Sequence, residues 1–123
     1  PIRDDVLVKQ VARAHGFART GATIRKRILD LLGEVPVSEE SAGRFFWTSE
    51  GPEAVVPFRH PQSPEDRRSL EEIPLAELRG LLQSNPSLLE ADDPITAVAR
   101  HIGVGRLNRS ARARIAEAIT GSA

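Results

Sequence analysis

One stretch of sequence organises this chain: Arg19-Thr20-Gly21-Ala22-Thr23-Ile24-Arg25-Lys26-Arg27-Ile28. It reads as a tight basic turn that leads into a helix, and the Thr20 hydroxyl is the expected N-cap because it can accept from a free first-turn amide. Apolar residues then recur at i, i+4 and i+7 with one neighbour beside them, which makes a single buried stripe: Ile24, Ile28, Leu31 and Leu32. Gly33 is the expected C-terminal stop. The pattern predicts a helix over residues 20–32.

Another helix is predicted immediately upstream, capped by Asp4 or Asp5 and running to about His15. Four apolar residues at helical spacing supply its buried face: Leu7, Val8, Val11 and Ala12. Gly16 breaks this helix, and we expect Phe17 to fill the core below the turn. The two helices together predict a helix-turn-helix unit.

The composition is that of an ordinary globular protein, and 123 residues suffice for one compact domain or two very small ones. There is no cysteine, so neither disulfides nor a cysteine-based metal site is possible. No run is apolar enough to span a membrane and no signal peptide is visible, so we expect a cytoplasmic location and no membrane partner. Because the chain begins at Pro1 without a methionine, we expect processing or a fragment of a longer protein, and favour the fragment.

The net charge of zero conceals a segregation of charge along the chain. Two segments carry cations and no acids: Lys9, Arg13, Arg19, Arg25, Lys26 and Arg27 in the first, and Arg100, Arg106, Arg109, Arg112 and Arg114 in the second. Acids are concentrated elsewhere, over residues 30–53, 65–77 and 90–93. Two basic blocks favour a polyanionic partner. The alternative is that both blocks pair internally with the acidic segments.

A β-hairpin is predicted after the helical unit. Residues 44–48 and 54–58 are rich in aromatic and β-branched side chains, and they flank a turn at residues 49–52. Pro57 would have to lie on a sheet edge, since it has no amide to donate. Three of the four Phe and the only Trp fall in or beside this hairpin. We expect them to pack the hairpin onto the two helices rather than to bind a ligand.

Three further helices are predicted beyond a polar surface connector. In the first, Pro74 fits the first turn, Asn85-Pro86 ends the helix, and four leucines face inward: Leu75, Leu78, Leu81 and Leu82. The second spans residues 95–102, is opened by Asp93-Pro94, and is ended by Gly103, with Val98 and Ala99 inside. The last is capped by Asn108 or Ser110 and stopped by Gly121, and its inward residues are Ala111, Ile115, Ala118 and Ile119.

The helix-turn-helix pattern occurs twice. Shifting the sequence by 87 positions places Val11-Ala12-Arg13 on Val98-Ala99-Arg100. Without gaps, the same shift aligns a turn glycine, a turn arginine, two helical arginines and an isoleucine: Gly16 with Gly103, Arg19 with Arg106, Arg25 with Arg112, Arg27 with Arg114 and Ile28 with Ile115. This coincidence in register favours an internal duplication over chance matching, and two units are too few for a solenoid.

The arginines of both copies suit phosphate contacts better than base reading. On a helical wheel Lys26 points outward while Arg25 and Arg27 flank the apolar stripe, and the second copy keeps only the flanking pair, Arg112 and Arg114. A base-reading helix needs varied polar residues on its outward face. Flanking arginines suit phosphates or ion pairs. The turn arginines, Arg19 and Arg106, can combine with free helix N-terminal amides to hold a phosphate.

Nothing in the sequence points to catalysis. His15, His60 and His101 have no metal-ligand spacing, and no His-Glu-x-x-His occurs. Asp92-Asp93 precedes Pro94 and is better interpreted as helix capping than as a paired acid site. Gly103-Val104-Gly105 is too short for a nucleotide loop and follows a helix rather than a strand. We therefore expect no catalytic residues, no metal, no cofactor and no small-molecule substrate.

The first third of the chain resembles a known family. The residues that carry the resemblance are Pro1-Ile2, Val11-Ala12-Arg13, Gly16-Phe17, Arg19-Thr20-Gly21 and Ile24-Arg25. They are similar to an uncharacterised domain, of the domain of unknown function 3320 type, near the C-terminus of large bacterial and archaeal superfamily I helicase-like proteins. Phe46-Trp47 and Arg59-His60-Pro61 also fit, and the match is looser beyond Ile73. The resemblance implies an accessory module of a protein whose ATPase domains lie elsewhere, and it supplies no catalytic residues.

Together these features predict an α+β fold, mainly α, with a winged-helix-like half over residues 1–59, a connector over 60–72 and a three-helix half over 73–123. The expected function is a non-catalytic accessory module of a helicase-like protein that binds DNA through phosphates. The alternative is a protein–protein or intramolecular docking module, which would contact other domains of a parent helicase. The predicted nucleic-acid-binding residues are Arg19, Thr20, Arg25, Lys26, Arg27, Arg106, Arg109, Arg112 and Arg114.

Overall fold

The computed structural model describes residues 1–16, 21–47 and 51–120. The chain divides into two compact units, Pro1–Pro52 and Glu53–Ala123. The described residues form a mixed α+β structure that is mainly helical, with five α-helices and one three-stranded antiparallel sheet. The predicted connector over residues 60–72 belongs to the second unit and contains two short 3₁₀ turns, Pro64–Asp66 and Leu70–Glu72.

The first unit begins with a short strand β1 (Ile2–Arg3) and a helix α1 (Asp4–Ala14), followed by α2 (Ala22–Leu31). The predicted cap of α1 by Asp4 or Asp5 is wrong. The helix starts at Asp4, its N-cap is Arg3, and no side chain caps it. Asp4 and Asp5 instead lie in the first turn, where carboxylates interact favourably with the helix dipole. Gly16 adopts a φ of 84°, a left-handed value that suits glycine, so the predicted helix break is confirmed.

Helix α2 is shorter than predicted at its N-terminal end, and one residue of its predicted buried stripe is exposed. It starts at Ala22 with Gly21 as N-cap, and the predicted cap Thr20 lies outside the described residues, as does Phe17. The helix ends just before Gly33, as predicted, with Leu32 as its C-cap, but Gly33 does not take a left-handed φ. Leu31 is 81% exposed, which corrects its predicted place in the core.

The exposure of Leu31 follows from where α1 meets α2. The small core of the unit consists of Val8, Ala12 and Ile28, with Leu29 and Leu32 packed beside it. At about 100° per residue, Leu29 and Leu32 lie on one side of Ile28 on the wheel, whereas Leu31 and Arg27 lie on the other. Ile24, on the same side as Leu31, also packs against this core, so the open part of the second side begins at Leu31 and Arg27.

The predicted hairpin of residues 44–48 with 54–58 is wrong, and a different hairpin is formed. Strands β2 (Val37–Glu40) and β3 (Gly43–Phe46) pair antiparallel, with Glu40 opposite Gly43, and β1 pairs on the other edge of β3. The prediction of a strand over residues 54–58 is wrong. That segment is held in the second unit instead, where the Val56 amide donates to the Ala76 oxygen at 3.1 Å. Residues 48–50, within the predicted turn, lie outside the described residues.

The aromatic residues of β3 and Trp47 are buried, whereas Phe58, predicted to belong to the same hairpin, packs against the core of the second unit. Phe45, Phe46 and Trp47 are each less than a tenth exposed, and β3 packs against α1. The Trp47 indole donates from Nε1 to the Ser38 hydroxyl at 2.8 Å, so its one polar group has a partner within the sheet.

The second unit contains α3 (Leu75–Ser84), α4 (Pro94–Ile102) and α5 (Arg109–Thr120). Its boundaries match the predicted signals closely. Asp93 caps α4 by accepting from the Thr96 amide, and Gly103 ends α4 in a left-handed conformation with φ 89°. Asn108 is the cap of α5, since its Oδ1 accepts from the Ala111 amide at 2.8 Å. The predicted stop, Gly121, lies outside the described residues.

The core of the second unit is formed where the leucines of α3 meet α4 and α5. All the predicted inward leucines of α3 are buried, together with Val98, Ala99, Ala111, Ile115 and Ala118. Gly80, in the middle of α3, permits the segment around Val56 to approach, because a Cβ at Gly80 would lie 1.8 Å from the Val56 oxygen. Tertiary contact thus explains a glycine that helix propensity disfavours.

Candidate nucleic-acid interface

In the first unit, two of the predicted site residues are free at the surface. Lys26 and Arg27 are exposed on α2, and neither makes an ion pair or hydrogen bond within the described residues. Arg25 is partly exposed and lies 3.3 Å from Asp4 through its Nη2 atom. Arg19 and Thr20 lie outside the described residues.

In the second unit, the predicted residues separate into exposed and buried groups. Arg106 and Arg109 are exposed and have no ion-pair partner in the described part of the chain. Arg112 lies 3.5 Å from Asp93, and both side chains are about half exposed. A hydrogen bond from Thr96 is the main cause that lowers the pKa of Asp93, with Arg112 contributing, so this carboxylate is charged at neutral pH.

Arg114 is buried and serves the fold. It is 5% exposed, and its guanidinium donates from Nη2 to the Ile73 oxygen at 2.7 Å and from Nε to the Leu70 oxygen at 3.4 Å. The sequence predicted Arg114 to lie with the surface arginines, because on the helical wheel it flanks the apolar stripe. With both carbonyls as partners inside the unit, Arg114 does not belong to the surface that a phosphate can reach.

A cleft of about 260 Å³ in the second unit gathers arginines around the start of α5. Arg67 and Arg106 line it beside the cap residue Asn108, and its apolar lining includes Ile73 and Ile102. Arg67 is exposed and lies against the turn that follows α4, since its Nη2 would be 3.0 Å from a Cβ at Gly103. Arg67 is not among the binding residues predicted from the sequence, because it lies in a connector that also carries acids.

Two other arginines of the cleft are occupied by an internal carboxylate. Glu77 is fully buried on α3, and it accepts from Arg59 Nη2 and Arg68 Nη1, each at 2.8 Å. Burial by itself raises the pKa of Glu77, but the hydrogen bonds from Arg68 and Arg59 outweigh it and lower the pKa to about 2. Arg68 also lies 5.6 Å from the ring centre of Phe58. The cluster ties the connector to α3 and leaves Arg67 and Arg106 as the free cations of the cleft.

The N-terminus of α5 lies beside the cleft, which Asn108 and Ala111 line together with the carboxylate of Glu71. The Asn108 side chain satisfies the Ala111 amide, and the Asn108 carbonyl accepts from Arg112. The amides of Arg109 and Ser110 make no hydrogen bond within the described residues. Free first-turn amides beside an arginine suit a phosphate or carboxylate oxygen.

The two helical pairs correspond in conformation as well as in sequence. The turn glycines, Gly16 and Gly103, have φ values of 84° and 89°. The core alanines that precede them, Ala12 and Ala99, are 2% and 3% exposed. The matching conformation extends the sequence correspondence to the backbone, and the duplication itself stays a prediction.

Neither a membrane-spanning helix nor a cluster of metal-binding side chains is found in the described ranges. Among these residues no helix has the length and apolar character needed to cross a bilayer. The same residues contain no group of three or more His, Asp or Glu side chains placed to hold a metal ion.

A family model described as "Protein of unknown function (DUF3320)" matches residues 1–26. The match covers β1, α1 and the first half of α2 up to Lys26, and it supports a domain of that type in this part of the chain. No curated protein and no solved structure matches the chain.

Proposed function

We propose that this chain is a non-catalytic accessory module that binds nucleic acid through phosphate contacts. The observation that carries the proposal is the state of four predicted cations. Lys26, Arg27, Arg106 and Arg109 are exposed and have no carboxylate partner within the described residues. Exposed, unpaired cations exchange their counterions for phosphates without first breaking an internal ion pair.

The ion pairs of the remaining surface arginines do not oppose this function. Arg25 with Asp4 and Arg112 with Asp93 are partly exposed pairs at 3.3 and 3.5 Å. Pairs of this kind contribute about 0–1 kcal/mol, so a phosphate can compete with the carboxylate at little cost. The proposed contacts of the first unit therefore keep Arg25, and those of the second unit, taken by themselves, keep Arg112, add Arg67 and omit Arg114.

The proposed mode is phosphate binding with weak sequence preference. Arginines that precede or flank a helix fix a protein on the backbone of nucleic acid, and they carry no sequence information directly. In the second unit, the guanidinium groups of Arg67 and Arg106 line the cleft beside the free amides at the start of α5, and these cations would have to outweigh the Glu71 carboxylate in the same lining to hold a phosphate. This geometry favours a single well-held phosphate at the cleft with looser contacts elsewhere.

Association with a helicase-like protein, a winged-helix-like arrangement of the first unit and a cytoplasmic location form the finer part of the proposal. The family match over residues 1–26 supports the domain type on which the helicase association rests. A two-helix unit next to a β-hairpin is compatible with a winged helix, in which helix and hairpin both touch the duplex.

Fluorescence anisotropy with labelled duplex and single-stranded DNA at about 50 mM salt tests the function. We expect saturable binding that weakens steeply with salt. A variant with Lys26→Ala, Arg27→Ala, Arg106→Ala and Arg109→Ala should lower the salt slope by about 3 to 4, near 0.9 for each lost contact. Arg100→Ala, an exposed arginine of α4 that is not among the predicted contacts, is the matched control. Absence of binding at high micromolar protein, or an unchanged slope in the fourfold variant, would exclude the proposal.

A docking function is the second candidate, and a specific surface favours it. The side of α2 that carries Leu31 is apolar and open. An exposed apolar surface of this kind is typical of an interaction site.

A further inference from the structure

The first unit has an apolar groove between α1 and α2, which we call the α1–α2 groove. Its volume is about 450 Å³, and its apolar lining includes Val11, Ile24, Ile28 and Leu31. His15 and Arg27 line it as well, and none of its lining residues within the described ranges is a carboxylate. The groove is thus an apolar surface with a cationic edge.

The second unit shows what covers the corresponding surface there. In the register that aligns Gly16 with Gly103, the four apolar lining residues correspond to Val98, Ala111, Ile115 and Ala118. These four are 1%, 5%, 0% and 1% exposed, whereas in the first unit Ile28 is buried, Val11 and Ile24 are half-buried, and Leu31 is 81% exposed. The same side of the helical pair is therefore closed in one unit and open at Leu31 in the other.

The element that closes this side in the second unit is a leucine-rich helix. Helix α3 packs against α5, and its leucines share one core cluster with Val98, Ala111, Ile115 and Ala118. The first unit has α1 and α2 but no described helix in the place of α3. Helix α3 is thus an example, within the same chain, of a helix that covers this side of a helical pair.

Arg27 and Arg114 occupy corresponding positions in the sequence register. Arg114 is buried and has hydrogen-bond partners, whereas Arg27 is exposed. Arg114 donates to the carbonyl oxygens of Leu70 and Ile73, which belong to the chain leading into α3. Arg27, at the edge of the α1–α2 groove, makes no hydrogen bond within the described residues. It therefore presents the same donors toward the place where the backbone of an incoming helix would begin.

We infer that the α1–α2 groove binds an amphipathic helix from another polypeptide segment, with leucines at α3-like spacing and acidic residues near its N-terminus. The leucines would cover Ile24, Ile28 and Leu31, as the leucines of α3 cover the second unit. The acidic residues would complement the charge of Arg27, whose counterpart Arg114 donates to main-chain oxygens of the segment that leads into α3. Binding of a helix in a groove through anchors at i, i+3, i+4 and i+7 is a recurring recognition mode.

The probe for this inference is a labelled peptide of residues 69–85, which contains α3 and the two acidic residues before it. Added to the full chain, it should bind saturably, and anisotropy should report the complex. Leu31→Asp should weaken binding at least tenfold, and Arg27→Glu should weaken it several-fold. Leu31 is exposed, so the substitution leaves the fold intact. A peptide with Leu78→Asp and Leu81→Asp should not bind.

Two controls separate the groove from other surfaces. Leu89→Asp, at an exposed apolar residue of the second unit, should leave peptide binding unchanged. Lys26→Ala should weaken DNA binding and leave peptide binding unchanged, so failure of this inference and failure of the proposed function are distinguishable. If the peptide bound by displacing the native α3 from the second unit, Leu31→Asp would leave peptide binding unchanged. That result would overturn the inference.

Two further outcomes would also overturn it. One is absence of peptide binding at high micromolar protein. The other is a dimer in sedimentation equilibrium that Leu31→Asp converts to a monomer, since a second copy of the chain would then be the occupant of the groove. A monomer that binds the peptide through Leu31 and Arg27 supports the inference.

Discussion

Arg114 donates from Nη2 to the Ile73 carbonyl oxygen at 2.7 Å, and both residues are almost fully buried. The bond joins the middle of α5 to the chain just before α3. An arginine in the second basic segment of the sequence is thus a structural residue of the second unit, whereas its counterpart Arg27 is exposed.

Arg114→Ala should destabilise the protein by about 2–4 kcal/mol. The substitution leaves the carbonyls of Leu70 and Ile73 without this donor, at about 1–3 kcal/mol for an unsatisfied buried group, and it removes the packed stem of the side chain. Urea unfolding followed by circular dichroism measures the change. Arg109→Ala, an exposed arginine of the same helix, should stay within about 0.5 kcal/mol of the parent. Equal stability of the two variants would contradict the structural role of Arg114.

The Glu77 cluster should make stability depend on pH in the acid range. The pKa of Glu77 in the folded protein, about 2, lies below its ordinary value of 4.5, so the folded state favours the carboxylate. The contribution of this group is therefore fully present above about pH 4.5 and is lost as the pH falls towards 2, on the order of 3 kcal/mol in total.

Unfolding curves at pH 7, 4 and 2.5 check this dependence, with Glu77→Gln as the test variant. At pH 7 the variant should be less stable by about 3–5 kcal/mol, because Arg59 and Arg68 lose their shared partner. Its stability should also change less than that of the parent between pH 4 and 2.5. Glu117→Gln, at an exposed position on α5, is the control and should keep the pH dependence of the parent.

Gly80→Ala should destabilise the second unit although alanine is the better helix former. A Cβ at this position would lie 1.8 Å from the Val56 oxygen, so the backbone of one segment has to move. Overpacking of this kind costs about 1–3 kcal/mol, which exceeds the gain of about 1 kcal/mol in helix propensity. Thermal unfolding measures the balance, and Gly105→Ala, where a Cβ meets no atom within 4 Å, is the control. A rise in melting temperature for Gly80→Ala would show that the close approach is absent in solution.

Arg67 should contribute to nucleic-acid binding although it lies in the connector. It lines the cleft together with Arg106, near the free amides at the start of α5. Arg67→Ala should lower the salt slope of DNA binding by about 0.9, as expected for one lost phosphate contact. The matched control is Arg59→Ala, because Arg59 is bound to Glu77 and should change stability more than the salt slope. An unchanged salt slope in the Arg67→Ala variant would show that the phosphate does not bind at the cleft.

Much of the second unit was predictable because its signals are local. Asp93-Pro94 opens α4, Gly103 ends it and Asn108 caps α5, and each of these residues acts through its own side chain or φ angle within one turn of helix. The leucine spacing of α3 identified its buried face for the same reason. Periodicity and capping operate over a few residues, so the sequence carries them directly.

The errors arose where two distant segments compete for the same partner. Gly51-Pro52 suggested a hairpin with residues 54–58, but β3 pairs with Val37–Glu40 and Ile2–Arg3 instead. The local pattern of residues 54–58 fits a strand, and only the hydrogen bond from Val56 to Ala76 assigns the segment to α3. The wheel of α2 likewise identified an apolar stripe without showing which half of it α1 covers.

By itself, the sequence determined the order of the helices, the two ends of α4, the turn glycines at Gly16 and Gly103 and the two basic segments, because these depend on local conformation and covalent charge. Only the tertiary structure decided which arginines are free. Arg114 is enclosed by α3 and bonded to main-chain oxygens, while Arg27, in the matching position, faces an open groove. The two residues are chemically identical, so their difference comes from whether another segment packs over the helical pair.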